Sequence, residues 1–265
     1  MGMIYITPEV QNPERSVRLM KDYGGLFEYG DFFDPKVLDD RYKQEEIIES
    51  YAKYRTDFSQ DTMHGAFFDV TIHSVDPLIR EASEKRVWQS MEIAKRMGLR
   101  GVVFHTGLLA GCRLDSYLEN WKKENVRFFT KLAEKYPNQE ILMENMFDEE
   151  SEYLAELGEE MREVPNFGIC LDYAHAVLSG CPTEKWVQEL APFIRHMHLN
   201  DNDLKKDLHL AVGTGKIDWT VFQSQMLQAH VDCTVLLEVR GYEAQKKSLE
   251  YLEEHKFFPM HTQVV

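Results

Sequence analysis

Short runs of β-branched and aromatic residues recur eight times along the chain, and longer segments with helical periodicity separate them. Runs of four to nine such residues predict β-strands, whereas apolar residues that recur every three or four positions predict amphipathic helices. The eight predicted strands cover residues 3–7, 25–29, 63–68, 101–107, 141–147, 167–175, 194–200 and 234–241. No linker or low-complexity segment interrupts this alternation.

Helices are predicted between the strands. In the segment 83–98, an apolar stripe is followed by Gly98, a residue that commonly ends a helix. The segment 116–136 shows the same periodicity and stops before Pro137, because the residue that precedes a proline disfavours helical geometry. Further helices are predicted over residues 183–190, 218–229 and 244–255.

Eight strands that alternate with helices over roughly 250 residues predict a parallel sheet closed into a (β/α)₈ TIM barrel. We therefore predict an α/β protein with a single barrel domain over residues 1–265. The alternative is a doubly wound open sheet. Its glycine-rich first turn is missing, because the first predicted strand and turn, "MIYITPEV", contain no G-x-G.

Composition narrows the class of protein. The chain is 43% hydrophobic and 28% charged, as is typical of soluble globular proteins, and it has no apolar run long enough to span a membrane. We expect a cytoplasmic protein, because no signal peptide is evident and the four cysteines form no C-x-x-C motif. The net charge of −15 disfavours nucleic acid as a partner without excluding it.

Polar residues gather where the predicted strands end. In a TIM barrel the chemistry lies at the C-terminal ends of the strands, so these side chains are expected to share one rim. Nine of them can bind a metal: His64, His105, Glu144, Asp172, His175, His198, Asp207, His209 and Glu238. Carboxylates together with neutral imidazoles are a donor set for Mn²⁺, Zn²⁺, Co²⁺ or Mg²⁺.

Each of these residues also has a structural interpretation. A lone histidine at a strand end often only forms hydrogen bonds. Glu144 and Glu238 lie in the apolar runs "ILMEN" and "VLLEV", where an unpaired carboxylate would cost several kcal/mol. Arg195 or Arg240 would be the partner if either glutamate formed a structural salt bridge. The convergence of all nine on one rim favours a metal site.

Several motifs carry a family resemblance. The stretches "ILMEN", "CLDYAHA", "HMHLND", "DLHLAVGTGKIDW" and "LLEVRG" resemble, in this order and spacing, the xylose isomerase-like barrel superfamily. The similarity covers roughly residues 63–241. The superfamily includes sugar isomerases, sugar epimerases, inosose dehydratases and the DNA-repair enzyme endonuclease IV.

The resemblance implies two different metal centres. In the sugar isomerase and epimerase branch, one divalent ion would be held by Glu144, Asp172, His198 and Glu238. In endonuclease IV, a cluster of three zinc ions would use those four and the other five residues, which are His64, His105, His175, Asp207 and His209. The sequence retains all nine. One ion is expected and up to three are allowed; with one ion, the other five residues would bind the substrate instead of further metal.

The loop after the second strand favours the sugar branch. It reads "EYGDFFDPKVLDD", which is acidic and aromatic, and it would repel a phosphate backbone while its phenylalanines could enclose a small polyol. We therefore expect a metal-dependent isomerase or epimerase of a sugar, sugar phosphate or polyol. Glu144 and Glu238 would be its acid–base pair on a metal-bound substrate.

Other functions stay open at this point. An endonuclease IV-like phosphodiesterase acting on abasic DNA is the first alternative, and an inosose dehydratase-like lyase is the second. A binding protein without turnover is a third, because the fold alone does not establish catalysis. The resemblance also allows a homo-oligomer.

Smaller predictions concern the surroundings of the site. Asp207 is expected to fix a histidine tautomer and, in extended backbone, to point the same way as His209. Lys205 and Lys206 would hold a substrate phosphate or simply be solvated. His196 is expected to support the barrel interior. The predicted aromatic walls, for which ordinary packing is the alternative, are Phe32, Phe33, Phe67, Phe147 and Trp219.

Overall fold

The computed structural model describes residues 3–260 and confirms the closed barrel of eight parallel strands. Each strand pairs with the next in chain order, and β8 closes on β1. The strands are β1 (Ile4–Ile6), β2 (Leu26–Tyr29), β3 (Thr62–His64), β4 (Gly101–His105), β5 (Glu140–Glu144), β6 (Phe167–Asp172), β7 (Ile194–Leu199) and β8 (Thr234–Leu237). The predicted domain of residues 1–265 also includes residues 1–2 and 261–265, which lie outside the described residues.

Helices surround the barrel. They are α1 (Pro13–Met20), α2 (Pro35–Leu38), α3 (Arg41–Ala52), α4 (Pro77–Met97), α5 (Asp115–Lys135), α6 (Glu152–Glu160), α7 (Tyr173–Leu178), α8 (Thr183–Leu190), α9 (Trp219–Gln228) and α10 (Tyr242–His255). No helix within residues 3–260 is long and apolar enough to cross a membrane. The main apolar core lies between these helices and the outer face of the strands.

Several strands end earlier than the sequence predicts, and this places the polar residues at their ends. The sixth predicted strand, 167–175, stops at Asp172, whose Oδ1 accepts a hydrogen bond of 2.7 Å from the backbone N–H of His175. Asp172 is therefore the N-cap of α7. The eighth strand ends at Leu237, so Glu238 lies one residue beyond it.

Side chains two residues apart on a strand lie on the same face, and this places apolar residues next to the polar residues of the site. On β5, Leu142 and Glu144 lie on the same face of the strand, with Glu144 nearer the C-terminal end. The same spacing relates Leu26 to Glu28, Val103 to His105, Cys170 to Asp172, and Leu236 to Glu238. Small clusters of buried apolar side chains thus underlie a layer of metal-competent residues.

Candidate metal centre

Four residues from neighbouring strands meet at the C-terminal end of the barrel. Glu144, Asp172, His198 and Glu238 each place one ligand atom within 4.8 Å of the others. The Nδ1 atom of His198 lies 3.2 Å from Glu144 Oε1 and 3.5 Å from Glu238 Oε2. Glu144, Asp172 and His198 are almost fully buried, whereas 24% of the Glu238 side chain is exposed.

The chemistry of these four residues fits a divalent cation. Both carboxylate oxygens of Glu144, Oε2 of Glu238 and Nδ1 of His198 are buried, and none has a hydrogen-bond partner in the described part of the chain. Leaving such atoms unpartnered costs several kcal/mol, and a cation shared among them removes that cost. Two carboxylate glutamates, an aspartate and an imidazole form a suitable oxygen–nitrogen donor set.

A salt bridge with lysine or arginine does not explain Glu144 and Glu238. Within residues 3–260, the basic groups within 4 Å of Glu144 and Glu238 are all histidines. Arg195 instead donates to the carbonyl of Pro165 at 2.8 Å, and Arg240 is exposed. The alternative that paired these glutamates with Arg195 or Arg240 is therefore wrong.

A second group shares the carboxylate of Glu144. Its Oε2 atom lies 3.3 Å from Nε2 of His64 and 3.4 Å from Nε2 of His105. The two imidazole nitrogens are themselves 3.1 Å apart. Glu144 thus faces His198 with one oxygen and the histidines of β3 and β4 with the other.

A third group comes from α7 and the loop after β7. Oδ2 of Asp207 lies 3.0 Å from Nε2 of His209 and 3.4 Å from Nε2 of His175. The expectation of extended backbone here is wrong, because His209 has a φ of +47°, in the left-handed region. In this conformation His209 also forms a 2.9 Å hydrogen bond through Nδ1 with the backbone carbonyl of Glu238.

Charges within the cluster compensate one another. Burial raises the pKa of Asp172 to about 7, and the nearby carboxylates of Glu238 and Glu144 act in the same direction. Burial also opposes ionisation of Glu144, but His198 and His105 hold its pKa well below the usual range. For His209, burial is outweighed by the hydrogen bond with Asp207, which raises its pKa to about 9. The pKa values of His175, His198 and His209 are all raised, so protons on these imidazoles offset carboxylate charge that a metal ion would otherwise neutralise.

A cavity of about 690 Å³ lies beside the cluster. Six of the nine residues line it, namely His64, His105, His175, Asp207, His209 and Glu238. The aromatic part of its wall consists of Phe33, Phe67 and Phe68, whose neighbouring ring centroids are 4.9 Å apart for Phe33–Phe67 and 4.2 Å apart for Phe67–Phe68. The ring of Phe67 also lies 4.8 Å from that of His105. An apolar surface therefore stands directly beside the polar floor of the cavity.

The predicted aromatic walls are partly confirmed. Phe33 and Phe67 line the cavity, but Phe32 and Trp219 are buried in the core. The prediction for these two is wrong, since ordinary packing accounts for them. Phe147 is 60% exposed and does not line the cavity either. Phe68, which follows β3, was not predicted.

The cavity is rich in acidic groups. Glu9, Glu28, Asp207 and Glu238 line it, while Arg240 is the one lysine or arginine among its described lining residues. Lys205 and Lys206 are exposed and do not line it, so the interpretation of these lysines as solvated residues fits the structure.

Comparison with known proteins identifies the family. A sequence profile described as the xylose isomerase-like TIM barrel matches residues 17–258, which is most of the chain. The chain belongs to this family. For a member of the xylose isomerase-like TIM barrel family, the positions at the C-terminal strand ends are where chemistry is expected.

Individual relatives in sequence and structure are distant. The uncharacterised protein MJ1311 of Methanocaldococcus jannaschii is 24% identical over 203 residues, which cover 73% of this chain and 69% of that protein. The TTHB071 protein from Thermus thermophilus, in a structure soaked with ZnCl2, has a TM-score of 0.76 and 22% identity, with coverage of 95% and 97%. A D-tagatose 3-epimerase-like protein has a TM-score of 0.71 and 20% identity, with coverage of 95% and 96%. These structural likenesses show a shared fold.

Glu28 borders the candidate metal centre of this xylose isomerase-like barrel, and the sequence did not predict it. It lies on β2, is only 1% exposed, and has its Oε1 atom 3.1 Å from Nε2 of His198. The available signal was the one used for Glu144, since Glu28 is a single acid within the apolar run "LFEY". His196, which was expected to support the barrel interior, is also fully buried and lies 3.3 Å from Glu28.

Proposed function

We propose that this protein is a metal-dependent isomerase or epimerase of a small carbohydrate. The observation that carries the proposal is the four-residue set Glu144, Asp172, His198 and Glu238, with its unpartnered ligand atoms, of which Glu238 also lines a cavity with an aromatic wall. A cavity of about 690 Å³ is large enough for a monosaccharide, since small-molecule sites typically measure roughly 300–1,000 Å³. Structural neighbours that include sugar epimerases support the same class.

The divalent ion would supply Lewis-acid chemistry, polarising a substrate carbonyl and the neighbouring hydroxyl so that the adjoining C–H becomes more acidic. Asp172 and His198 mainly hold the ion in this proposal. The carboxylates of Glu144 and Glu238 hold it as well and move the proton, one taking it from carbon and the other returning it.

The two glutamates are placed differently with respect to the cavity. Glu238 is partly exposed and lines the cavity, whereas Glu144 is buried and contacts His64 and His105. They also come from β5 and β8, which are not neighbours in the barrel. Two carboxylates on different sides of one substrate can address opposite faces of a carbon, as inversion requires.

Solvent hydrogen exchange tests this proposal directly. We expect the zinc- or manganese-loaded protein to introduce deuterium from heavy water at a carbon of D-fructose, D-psicose or D-tagatose. Glu144→Gln and Glu238→Gln should abolish the exchange. Glu140→Gln is the matched control, because Glu140 lies at the other end of β5 and pairs with Arg100 at 2.9 Å.

Two results would contradict the assignment. If Glu238→Gln kept both metal and activity, the acid–base role of Glu238 would be wrong. If the substrate lost water instead of exchanging hydrogen, the protein would belong with the lyases.

A second candidate function is phosphodiester hydrolysis. It is favoured by one observation, namely that all nine predicted ligands fall into three groups of converging side chains, of which two share Glu144. Such a centre could hold three ions, and several ions can stabilise both attacking and leaving oxygens of a phosphate. Metal analysis separates the two functions: one tight ion supports the sugar enzyme, whereas three ions together with cleavage of an abasic-site duplex would replace it.

A further inference from the structure

Glu28 occupies an unusual position for a carboxylate. It lies inside the barrel on β2, where its Oε2 atom accepts a 2.7 Å hydrogen bond from Oγ1 of Thr62. Its remaining close polar neighbours are Nε2 of His198, 3.1 Å from Oε1, and Nε2 of His196, 3.3 Å from Oε2. Both contacts lack the angles of a hydrogen bond, and Oε1 of Glu28 and the two Nε2 atoms have no other hydrogen-bond partner within residues 3–260. Within residues 3–260, no lysine or arginine lies within 4 Å of Glu28. Its negative charge is therefore directed at the two imidazoles.

The ring of His198 stands between two sets of carboxylates. Its Nδ1 atom faces Glu144 and Glu238, while Nε2 faces Glu28 on the other side. A neutral imidazole carries a proton on one nitrogen and a lone pair on the other, and only the lone pair can bind a metal. The group that contacts Nε2 therefore decides whether Nδ1 is available to the ion.

We infer that Glu28 is the positioning residue of the metal centre, which holds His198 as the Nε2–H tautomer and so presents Nδ1 to the ion. This inference rests on the proposed function, in which His198 is a metal ligand. A carboxylate that accepts the distal N–H of a metal-bound histidine fixes the ring orientation and makes the ligand more basic.

The surroundings keep Glu28 in place for this role. Nδ1 of His196 lies 2.6 Å from Oγ1 of Thr234, which leaves Nε2 of His196 directed at Glu28. The rings of His196 and His198 are nearly perpendicular, at 89° with centroids 5.3 Å apart. Thr62, His196 and His198 therefore surround the carboxylate, and it has little freedom to turn away from His198.

Substitution of Glu28 by glutamine tests the inference, because the amide keeps the shape and removes the charge. We expect zinc affinity, measured by competition with a chromophoric chelator, to fall about 10- to 100-fold in Glu28→Gln, as is typical when such an outer partner is lost. In zinc-loaded wild type, ¹⁵N–¹H spectra of the histidine side chains should show a downfield Nε2–H signal for His198. In Glu28→Gln this signal should shift upfield or be lost to exchange.

Asp61→Asn is the matched control. Asp61 is another fully buried carboxylate of the barrel, but it pairs with Arg55 at 2.6 Å. We expect Asp61→Asn to lower thermal stability and to leave zinc affinity unchanged.

Three outcomes would overturn the inference. Unchanged zinc affinity in Glu28→Gln, with normal binding by wild type, would refute the role of Glu28 alone. Loss of a whole equivalent of zinc would make Glu28 a ligand itself, as its grouping with His196 and His198 permits. Absence of zinc binding by wild type would remove both this inference and the proposed function.

Discussion

Among single residues, Asp207 distinguishes a one-ion centre from a larger one. Its carboxylate contacts both His175 and His209. In a centre with one ion, these two histidines are left to orient the substrate. We expect Asp207→Asn to retain one tightly bound zinc, because the four ligands are untouched. Turnover should fall at least about tenfold, since positioned polar groups commonly contribute that much or more. Metal analysis and deuterium exchange measure the two effects.

The opposite pattern would contradict this view of Asp207. If the variant bound one zinc ion fewer than wild type, Asp207 would itself be a metal ligand. The three groups of converging side chains would then hold more than one ion. Asp203→Asn is the control. Asp203 lies in the same loop and accepts hydrogen bonds from the backbone N–H groups of Lys205 and Lys206, but it is not one of the nine candidate ligands.

Single residues also show what the sequence could and could not reveal about the site. Glu144 and Glu238 were found because a carboxylate in an apolar run needs a partner, and the structure provides none but histidines among the described residues. Glu28 obeys the same rule but was overlooked, since it resembles the first residue of an acidic loop. The φ of His209 could not be predicted, because the hydrogen bond with the Glu238 carbonyl depends on strands far apart in sequence.

Among the elements, the loop between β7 and α9 depends on one buried carboxylate. Asp201 accepts hydrogen bonds from the backbone N–H groups of Gly213 and Ile217 and from Nε1 of Trp219, at 3.0 to 3.1 Å. We expect Asp201→Ala to lower the free energy of unfolding by about 3 kcal/mol or more, since each buried donor left unpaired costs about 1–3 kcal/mol. Urea denaturation measures the change, and an unchanged midpoint would contradict it.

The same network explains the motif "GTGKIDW". A Cβ atom at Gly215 would overlap the carboxylate of Asp201 and the carbonyl of Asn202, and Gly213 has a φ of +81°. Both glycines are therefore required by the backbone around Asp201. The loop they form carries Asp207 and His209 over the metal centre.

Element boundaries were harder to predict than element types. The run "FGICLDYAH" is mostly apolar, and periodicity alone does not separate a buried strand from a helix in so short a run. Asp172 divides it, since its side chain caps α7. Likewise, α4 begins at Pro77 rather than residue 83 because Asp76 caps it through a 2.8 Å bond from Leu78 N–H.

At the scale of the whole molecule, the eightfold alternation was sufficient to predict the closed barrel. Strands that pair in sequence order need only local connections, so the sequence pattern maps directly onto the topology. The barrel then brings together acids and histidines that lie far apart in sequence. Carboxylates in this cluster need a positive charge nearby, so the stability of the protein should depend on the protons of the histidines or on a metal ion that replaces them.

We therefore expect zinc to stabilise the protein dialysed against a chelator. A ligand at about 1,000 times its Kd contributes about 4 kcal/mol, which for a domain of this size corresponds to a rise in Tm of about 10 °C. The rise should shrink as the pH falls through about 7, because the pKa of Asp172 is raised to about 7 by burial and a protonated carboxyl binds metal poorly. Differential scanning calorimetry with and without zinc measures the shift. Asp172→Asn should lose most of it, and an equal rise in that variant would place the stabilising zinc elsewhere on the acidic surface.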